Sequence, residues 1–268
     1  MEQFRFETIN GIKTLKCIPF EAIPWLRHGF STRHGGVSRG DCASLSFSYN
    51  KEDAATVDEN FRRFTAANGL PFESLVLTHQ THTNHVAQVG ADFKNRGRDR
   101  TLRETDGLVT AEAGLGLVCF TADCVPILLV DPEARIVAAV HAGWRGTVAG
   151  IAAEAMKKMA ALGAEPARMM SAVGPSIGAC HYEVSAEVQE QFTAVFGARL
   201  PSVPSVNPGH TMLDLWAANR LFLEQSGLAT ERIFISDICT FCNPAEFFSH
   251  RYTNGRRGLL IASIAMEG

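Results

Sequence analysis

The sequence predicts a mixed fold of the α/β or α+β class, in which helices and strands follow one another along all 268 residues. Three observations support this prediction. Apolar residues make up 46% of the chain, which is enough to fill a sizeable core. Three segments have helical periodicity and helix-ending signals, and short apolar runs typical of covered strands lie between them. Without an internal repeat or a low-complexity tract, we expect a single domain over residues 1–268.

The first helix is predicted over residues 61–67 from its flanking residues. Thr56 and Glu59 have the spacing of a capping box, and Gly69 is placed to end the helix. We therefore expect a helix that begins close to Thr56.

Two further helices follow from apolar spacing. Residues 148–159 carry apolar side chains on one helical face ahead of Gly163. Leu215–Gln225 has Asp214 as a cap and Gly227 beyond its end.

Strands are predicted where apolar runs lack helical spacing: 74–78, 117–120, 127–130, 136–140, Met170–Val173, 233–238 and 259–264. The proline-rich stretch 200–208 is interpreted as a surface loop. The segment 91–104 is interpreted as a solvated loop, with a flexible lid for an anionic ligand as the alternative. Its basic residues are Lys94, Arg96, Arg98, Arg100 and Arg103.

Charge and hydropathy exclude several classes of partner. A net charge of -3 provides no electrostatic footprint for nucleic acid. The longest apolar run, residues 124–130, is far shorter than the ~20 residues of a membrane span. The acidic, polar start is unlike a signal peptide, so we expect a cytoplasmic protein.

The seven cysteines are an odd number, and in a reducing cytosol they indicate chemistry, metal binding or core packing before disulfides. Cys239 and Cys242 form the single C-x-x-C pair. A redox or zinc role is one interpretation. Core or loop cysteines are favoured, because no second C-x-x-C accompanies the pair.

A histidine-rich segment contains His79, His82 and His85. On a strand His82 takes the face opposite to the other two, whereas on a helix all three lie on one side. A second segment interrupts two apolar runs with Asp123 and Cys124. A buried thiol is often core filler, but a buried carboxylate must be paired or serve a site.

A third segment, residues 140–147, joins a predicted strand to a predicted helix. His141 ends the strand, where open sheets place their ligands. Gly143 and Gly146 allow a close backbone approach, and Arg145 suits a phosphate or carboxylate. The helix is expected to begin near Thr147, with free amides available to an anion. A structural strand-turn-helix joint is the equal alternative.

Together these segments supply two histidines and a cysteine: His82, Cys124 and His141. Three N/S ligands are typical of catalytic zinc, whereas structural zinc has four. The separations of these residues match no local zinc motif. A nucleophilic cysteine with a histidine base fits the same residues.

Five motifs in this order resemble one family: residues 80–82, 122–126, 141–146, 174–178 and 247–251. It is the laccase-domain family, once labelled multicopper polyphenol oxidase and also known as peptidoglycan editing factors. Its members are described as purine nucleoside phosphorylases with adenosine deaminase activity. The resemblance implies a layered sandwich of mixed sheets flanked by helices.

The resemblance also implies a site. It assigns the metal, Zn²⁺ with Cu²⁺ as the alternative, to His82, Cys124 and His141. Asp123 is the expected proton-transfer group. The expected substrates are phosphate and a purine nucleoside, namely adenosine, inosine or S-methyl-5'-thioadenosine. The expected substrate and phosphate contacts are Arg33, Gln80, Arg145, Thr147, Ser249 and Arg251.

Other functions stay open on the sequence. A Cys124–His141 amidase acting in peptidoglycan editing is the first alternative. A copper-dependent polyphenol oxidase is less favoured, because nine scattered histidines without a His-x-His pair do not resemble a multicopper site. A binding or scaffold protein is the least favoured alternative. We expect a monomer or a weak homodimer.

Overall fold

The computed structural model describes residues 2–94 and 101–268, and within these ranges the strands form three sheets. Strands are numbered along the chain. The first sheet has seven strands in the spatial order β1 (Phe4–Ile9), β2 (Ile12–Cys17), β3 (Leu26–Ser31), β16 (Leu260–Met266), β8 (Gly116–Thr121), β4 (Leu75–Thr78) and β6 (Thr101–Leu102). The second has six, in the order β15 (Ile233–Ile235), β11 (Met170–Val173), β9 (Val125–Asp131), β10 (Ile136–Ala142), β7 (Gly107–Thr110) and β5 (Val86–Gln88). A small third sheet has the order β12 (Glu183–Ser185), β14 (His210–Leu213) and β13 (Ser202–Pro204).

The helices surround the two large sheets. They are α1 (Ile18–Glu21), α2 (Ala54–Asn68), α3 (Trp144–Val148), α4 (Ile151–Ala161), α5 (Ala186–Phe196), α6 (Leu215–Gln225) and α7 (His250–Thr253). In the part of the chain that the structure describes, no helix has both the length and the apolar character needed to cross a bilayer.

The two large sheets pack face to face, and the side chains of β9 show how. Leu128 and Val130 join the core that both sheets share, whereas Ile127 and Leu129 join the core on the opposite face. This alternation follows from the two-residue period of a strand. Because β9 is covered on both faces, its sequence is apolar throughout.

Helices cover the outer faces of both sheets. Phe61 and Phe64 of α2 pack on the first sheet, and Met156 of α4 packs on the second with residues of α5 and α6. The resulting order is helix, sheet, sheet, helices. Both sheets contain parallel and antiparallel pairs. The layered α+β sandwich of mixed strands is therefore confirmed.

The first helix begins earlier than the sequence predicts. Asp53 is the cap of α2, and its Oδ1 accepts the amide of Thr56 at 3.0 Å. The predicted capping box of Thr56 and Glu59 is therefore wrong. The Asp53 carboxylate already accepts the Thr56 amide that the Glu59 side chain would bond in such a box, and Glu59 pairs with Arg63 instead. Gly69 ends the helix in the left-handed region, as predicted.

The later helices are partly as predicted. Asp214 caps Leu215–Gln225 by accepting the Ala217 amide at 2.9 Å. A continuous helix from residue 148 is wrong, because Gly150 adopts a φ of 76° and separates α3 from α4.

Two predicted loops contain strands. The proline-rich stretch includes β13, an edge strand on which Pro204 needs no ladder donor. The basic segment 91–104 includes β6 at its end. Lys94 lies near Glu112, with 3.7 Å between charged atoms, whereas Arg96, Arg98 and Arg100 lie outside the described residues.

Candidate metal centre

Two loops and the end of strand β10 bring His82, Cys124 and His141 together. The Nε2 atom of His82 lies 3.9 Å from the Sγ atom of Cys124, and the two imidazole rings are 4.9 Å apart between centroids. One ligand atom from each residue lies within 4.8 Å of the other two. His82 and Cys124 are 42 residues apart in the chain, and they nevertheless meet at one point.

The strand register explains this meeting. His141 and Ala142, at the end of β10, pair with Pro126 and Val125 at the start of β9. Cys124 therefore emerges beside His141. His82 lies in the loop between β4 and β5, so neither the strand spacing nor the helix spacing of the three histidines applies.

The backbone is unusual on both sides of the site. His82 has a φ of 63° and Asp123 a φ of 87°, in the left-handed region that non-glycine residues seldom adopt. Such conformations persist only where the surroundings enforce them, and they cluster at functional sites.

Gly143 makes the close approach that the sequence suggests. A Cβ atom there would lie 2.8 Å from Cδ2 of His82 and 3.2 Å from Sγ of Cys124. A Cβ at Gly146 would lie 2.8 Å from the carbonyl oxygen of Thr83. Both glycines allow residues 143–146 to lie close to the loop that contains His82 and Thr83.

Asp106 is the site residue that the sequence analysis gave no role. Its Oδ1 accepts from Nδ1 of His141 at 2.9 Å and from the amide of His82 at 3.0 Å. Its Oδ2 accepts from the amides of Thr81 and Thr83 and from the Thr83 hydroxyl. This fully buried carboxylate immediately precedes an apolar strand, and a buried acid must be paired or serve a site. The signal available in the sequence was an acid directly before an apolar run.

The site is strongly polarised. Burial raises the pKa of the Cys124 thiol, but the facing rings of His141 and His82 outweigh it and lower that pKa to about 6. Burial lowers the pKa of His141, whereas the Cys124 thiolate and the Asp106 carboxylate raise it, to about 9. Burial also opposes ionisation of Asp106, yet its hydrogen bonds hold its pKa well below the usual range. The group thus has a thiolate ready for a cation.

The three side chains fit a divalent metal of the zinc type. Two imidazoles and a thiolate are the N and S ligands that zinc prefers, and three protein ligands are typical of a catalytic site. With Nδ1 of His141 bonded to Asp106, its Nε2 is the atom left for an ion. A carboxylate that fixes a histidine ligand in this way is a common partner of metal sites.

Two other predicted residues support the loops of the centre. The amide group of Gln80 bonds the backbone of Phe120, accepting from its N–H at 2.7 Å and donating to its carbonyl at 2.8 Å. The carboxylate of Asp123 accepts from the Thr240 hydroxyl at 2.7 Å and from the Arg251 amide at 2.6 Å. Both side chains therefore tie distant segments to the site.

The remaining predicted contacts differ in what they offer a ligand. Arg33 donates to the carbonyls of Ala43 and Pro244, and Ser249 caps α7, so both are bonded within the fold. Arg145 is exposed and lies over the Trp144 ring.

Arg251 and Thr147 are also engaged. Arg251 is exposed but donates to the carbonyls of His181 and Glu183. The expected helix start near Thr147 is wrong: α3 begins at Trp144, and the Thr147 amide donates to Gly143 inside that helix.

A cavity of about 360 Å³ opens beside the metal centre. His82, Cys124 and His141 are among its lining residues, and Phe47, Tyr49 and Phe120 contribute aromatic surface.

Arg257, which the sequence analysis did not select, also lines this cavity. Its Nη atoms contact the Gly258 carbonyl and Nδ1 of His250, while its buried Nε has no partner. The available signal was an Arg-Arg pair directly before the last apolar strand.

Comparison with known proteins gives consistent results. A family model described as multi-copper polyphenol oxidoreductase laccase matches residues 27–267. A purine nucleoside phosphorylase of Deinococcus radiodurans is 38% identical over 259 residues, which cover 97% of this chain and 95% of that protein. Adenosine deaminase RL5, from an unknown prokaryotic organism, is 37% identical over 228 residues, covering 83% and 87%. The crystal structure of YlmD from Geobacillus stearothermophilus has a TM-score of 0.91 at 34% identity, with 100% of both chains covered.

Proposed function

The chain belongs to the multi-copper polyphenol oxidoreductase laccase family, and from this premise we propose that it is a zinc-dependent purine nucleoside phosphorylase with adenosine deaminase activity. The proposed substrates are inorganic phosphate with adenosine, inosine or S-methyl-5'-thioadenosine. One observation carries the proposal: a catalytic-type ligand set of His82, Cys124 and His141 lies in the wall of a cavity of about 360 Å³. Cavities of this size suit small-molecule substrates.

The metal ligands have distinct tasks in this proposal. When bound, a divalent ion supplies Lewis-acid chemistry, either activating water near neutral pH or polarising a substrate oxygen. Cys124 neutralises part of the ion's charge. Asp106 holds His141 in one tautomer and orientation. It also accepts a hydrogen bond from the backbone amide of His82, which keeps that residue in place.

Phosphorolysis requires an anion site next to the sugar. A phosphate oxygen forms a bond to the sugar carbon C1' while the bond from C1' to the purine nitrogen breaks and the purine takes a proton. Arg257 supports this proposal because it lines the cavity and has a buried Nε without a partner. Among the sequence-derived contacts, Gln80 lines the same cavity. Arg33, Arg145, Thr147, Ser249 and Arg251 stay predictions.

The purine itself needs a flat, apolar surface. Phe47, Tyr49 and Phe120 line the cavity, and aromatic rings can stack on the flat face of a base. Proton transfer by Asp123 stays a prediction. Both of its carboxylate oxygens accept hydrogen bonds from protein groups.

The test uses purified full-length protein with adenosine, in the presence and absence of phosphate. We expect adenine and ribose 1-phosphate only with phosphate, and inosine with ammonia in both conditions. His82→Ala is expected to abolish both reactions. The matched control is His85→Ala, a histidine of the same loop whose Nδ1 contacts the Glu104 carbonyl instead. Equal adenine release without phosphate, or full activity of His82→Ala, would contradict the proposal.

Zinc is the proposed ion and copper the alternative, and a metal-exchange experiment on the same protein distinguishes them. Chelator-treated protein is expected to regain phosphorolysis with Zn²⁺. Recovery with Cu²⁺ alone, accompanied by oxidation of phenols, would favour the polyphenol oxidase. The proposed setting is the cytosol, where the seven cysteines would stay reduced as the structure has them.

A second candidate function rests on the polarity of Cys124. Its lowered pKa beside His141 also suits a nucleophile and its base, as in an amidase acting on peptidoglycan. An amidase would form a covalent adduct on Cys124 and stay active in chelator. The phosphorylase would lose activity in chelator, which separates the two proposals.

A further inference from the structure

A second cluster of sulfur and nitrogen ligands lies outside the cavity described above. It contains Cys180, His181, Cys239 and Cys242, whose ligand atoms all lie within 4.8 Å of one another. The Sγ atoms of Cys180 and Cys242 are 3.6 Å apart, and Nδ1 of His181 lies 3.2 Å from each of them. All three thiols are free.

The fold brings the two halves of this cluster together. Strands β11 and β15 are parallel neighbours, so the loops that follow them leave the same edge of the sheet. The pairing continues beyond the strands, where Ser176 forms a parallel bridge with Cys239 and accepts the Thr240 amide at 3.0 Å. Cys180 and His181 are thereby held beside the C-x-x-C turn.

Local contacts favour the thiolate of Cys239 and hold the turn and the imidazole of the cluster in place. The amide of Gly178 donates to Sγ of Cys239 at 3.2 Å, a bond that favours a thiolate. The Asn243 amide and side chain both donate to the Cys239 carbonyl, which closes the C-x-x-C turn. The His181 ring stacks on Phe241 at 4.1 Å between centroids, so its orientation is fixed.

We propose that these four side chains form a structural Zn²⁺ site, with the ligands Cys180, His181, Cys239 and Cys242. Three thiolates and one imidazole are an established tetrahedral set for structural zinc, and C-x-x-C is its usual spacing. Zn–S bonds of ~2.3 Å and Zn–N bonds of ~2.0 Å separate the ligand atoms of a tetrahedron by roughly 3.5–3.8 Å. The two sulfurs at 3.6 Å already match this separation, and the imidazole is within a few tenths of an ångström of it.

The ion would fasten two loops that support the first centre. Thr240, inside the C-x-x-C turn, donates to the carboxylate of Asp123, the neighbour of Cys124. The His181 carbonyl accepts from Arg251, whose amide donates to the same carboxylate. The second site therefore has a positioning role, with no ligand shared with the first.

The experiment counts metal in the full-length protein. Protein isolated with a reductant, stripped with a chelator and titrated with Zn²⁺ is expected to bind two ions per chain. Cys180→Ser combined with Cys242→Ser is expected to reduce this to one. The control is Cys42→Ser, which removes a thiol from outside both clusters. Two ions per chain in the double variant would overturn the proposal.

A second measurement does not depend on the stability of those variants. In His82→Ala/Cys124→Ala, the first centre keeps one ligand, so any tight Co²⁺ site belongs to the second cluster. We expect one Co²⁺ per chain with intense sulfur-to-metal absorption and tetrahedral visible bands. Absence of this spectrum, or a Cys180–Cys242 disulfide in protein isolated with a reductant, would overturn the proposal.

Discussion

Replacement of Asp106 by asparagine tests the link between the buried carboxylate and the metal ligands. The carboxylate accepts five hydrogen bonds, two at Oδ1 and three at Oδ2. An asparagine that keeps its oxygen toward His141 turns its NH₂ group toward the amides of Thr81 and Thr83. Two backbone donors then lose their acceptor, which costs about 1–3 kcal/mol for each buried group.

We therefore expect two effects of Asp106→Asn. The free energy of unfolding of the metal-free protein falls by about 2–6 kcal/mol. Zinc affinity at the first centre falls roughly 10–100-fold, because His141 loses the negative partner that orients its ring and raises its basicity. Urea unfolding in chelator measures the first effect, and competition with a chromophoric chelator measures the second.

Asp131→Asn is the matched control. Asp131 is also fully buried, and its carboxylate accepts from the amides of Glu133, Ala134 and Glu165 and from Arg168. It contacts none of the three metal ligands, so its variant is expected to lose stability while keeping its zinc affinity. Equal zinc affinities of Asp106→Asn and the wild-type protein would refute the assigned role.

The remaining predictions concern a glycine, an arginine and a buried histidine. Gly143→Ala places a Cβ 2.8 Å from the His82 ring and is expected to weaken zinc binding at the first centre. In the control Gly90→Ala, the nearest atom to the new Cβ is 3.4 Å away, so zinc binding is expected to stay unchanged. Equal zinc titrations of the two variants would contradict this prediction. Arg257→Met is expected to raise KM for phosphate about 10–100-fold through loss of a charge-assisted bond, and the exposed Arg256→Met is its control; an unchanged KM would exclude phosphate contact. Burial, together with the nearby charge of Lys16, lowers the pKa of His28 from 6.5 to about 3. As pH falls through 6.5, the unfolded chain therefore binds a proton at His28 that the folded chain does not, and the free energy of unfolding decreases. His28→Gln, which keeps an acceptor for the Cys17 amide, is expected to remove about 2 kcal/mol of the stability loss between pH 6.5 and 5, measured by urea unfolding; identical pH profiles would refute it.

Local signals in the sequence predicted the elements whose ends depend on nearby residues. Asp214 and Gly69 act within one helical turn, so both were identified correctly. The start of α2 was missed because Asp53 and Thr56 both resemble caps, and only the folded chain shows which amide is satisfied. The break at Gly150 was missed because apolar spacing continues across it, although the glycine adopts a left-handed conformation.

The candidate site divides in the same way. His82, Cys124 and His141 were selected because their residue types and surrounding motifs are chemically distinctive. Asp106 and Arg257 were not, because their importance lies in what they face: a histidine ring in one case and a cavity in the other.

By itself, the amino-acid sequence determined which segments are buried on both faces, where several helices end, and that His82, Cys124 and His141 are residues of the metal-ligand type. These properties depend on residue type and on neighbours a few positions away. The tertiary structure alone decided which ligands meet. Cys180 and Cys242 are 62 residues apart, and His82 and Cys124 are 42 apart. Their contacts arise from the pairing and register of remote strands, which each segment's own sequence does not encode, since many registers satisfy the same apolar pattern.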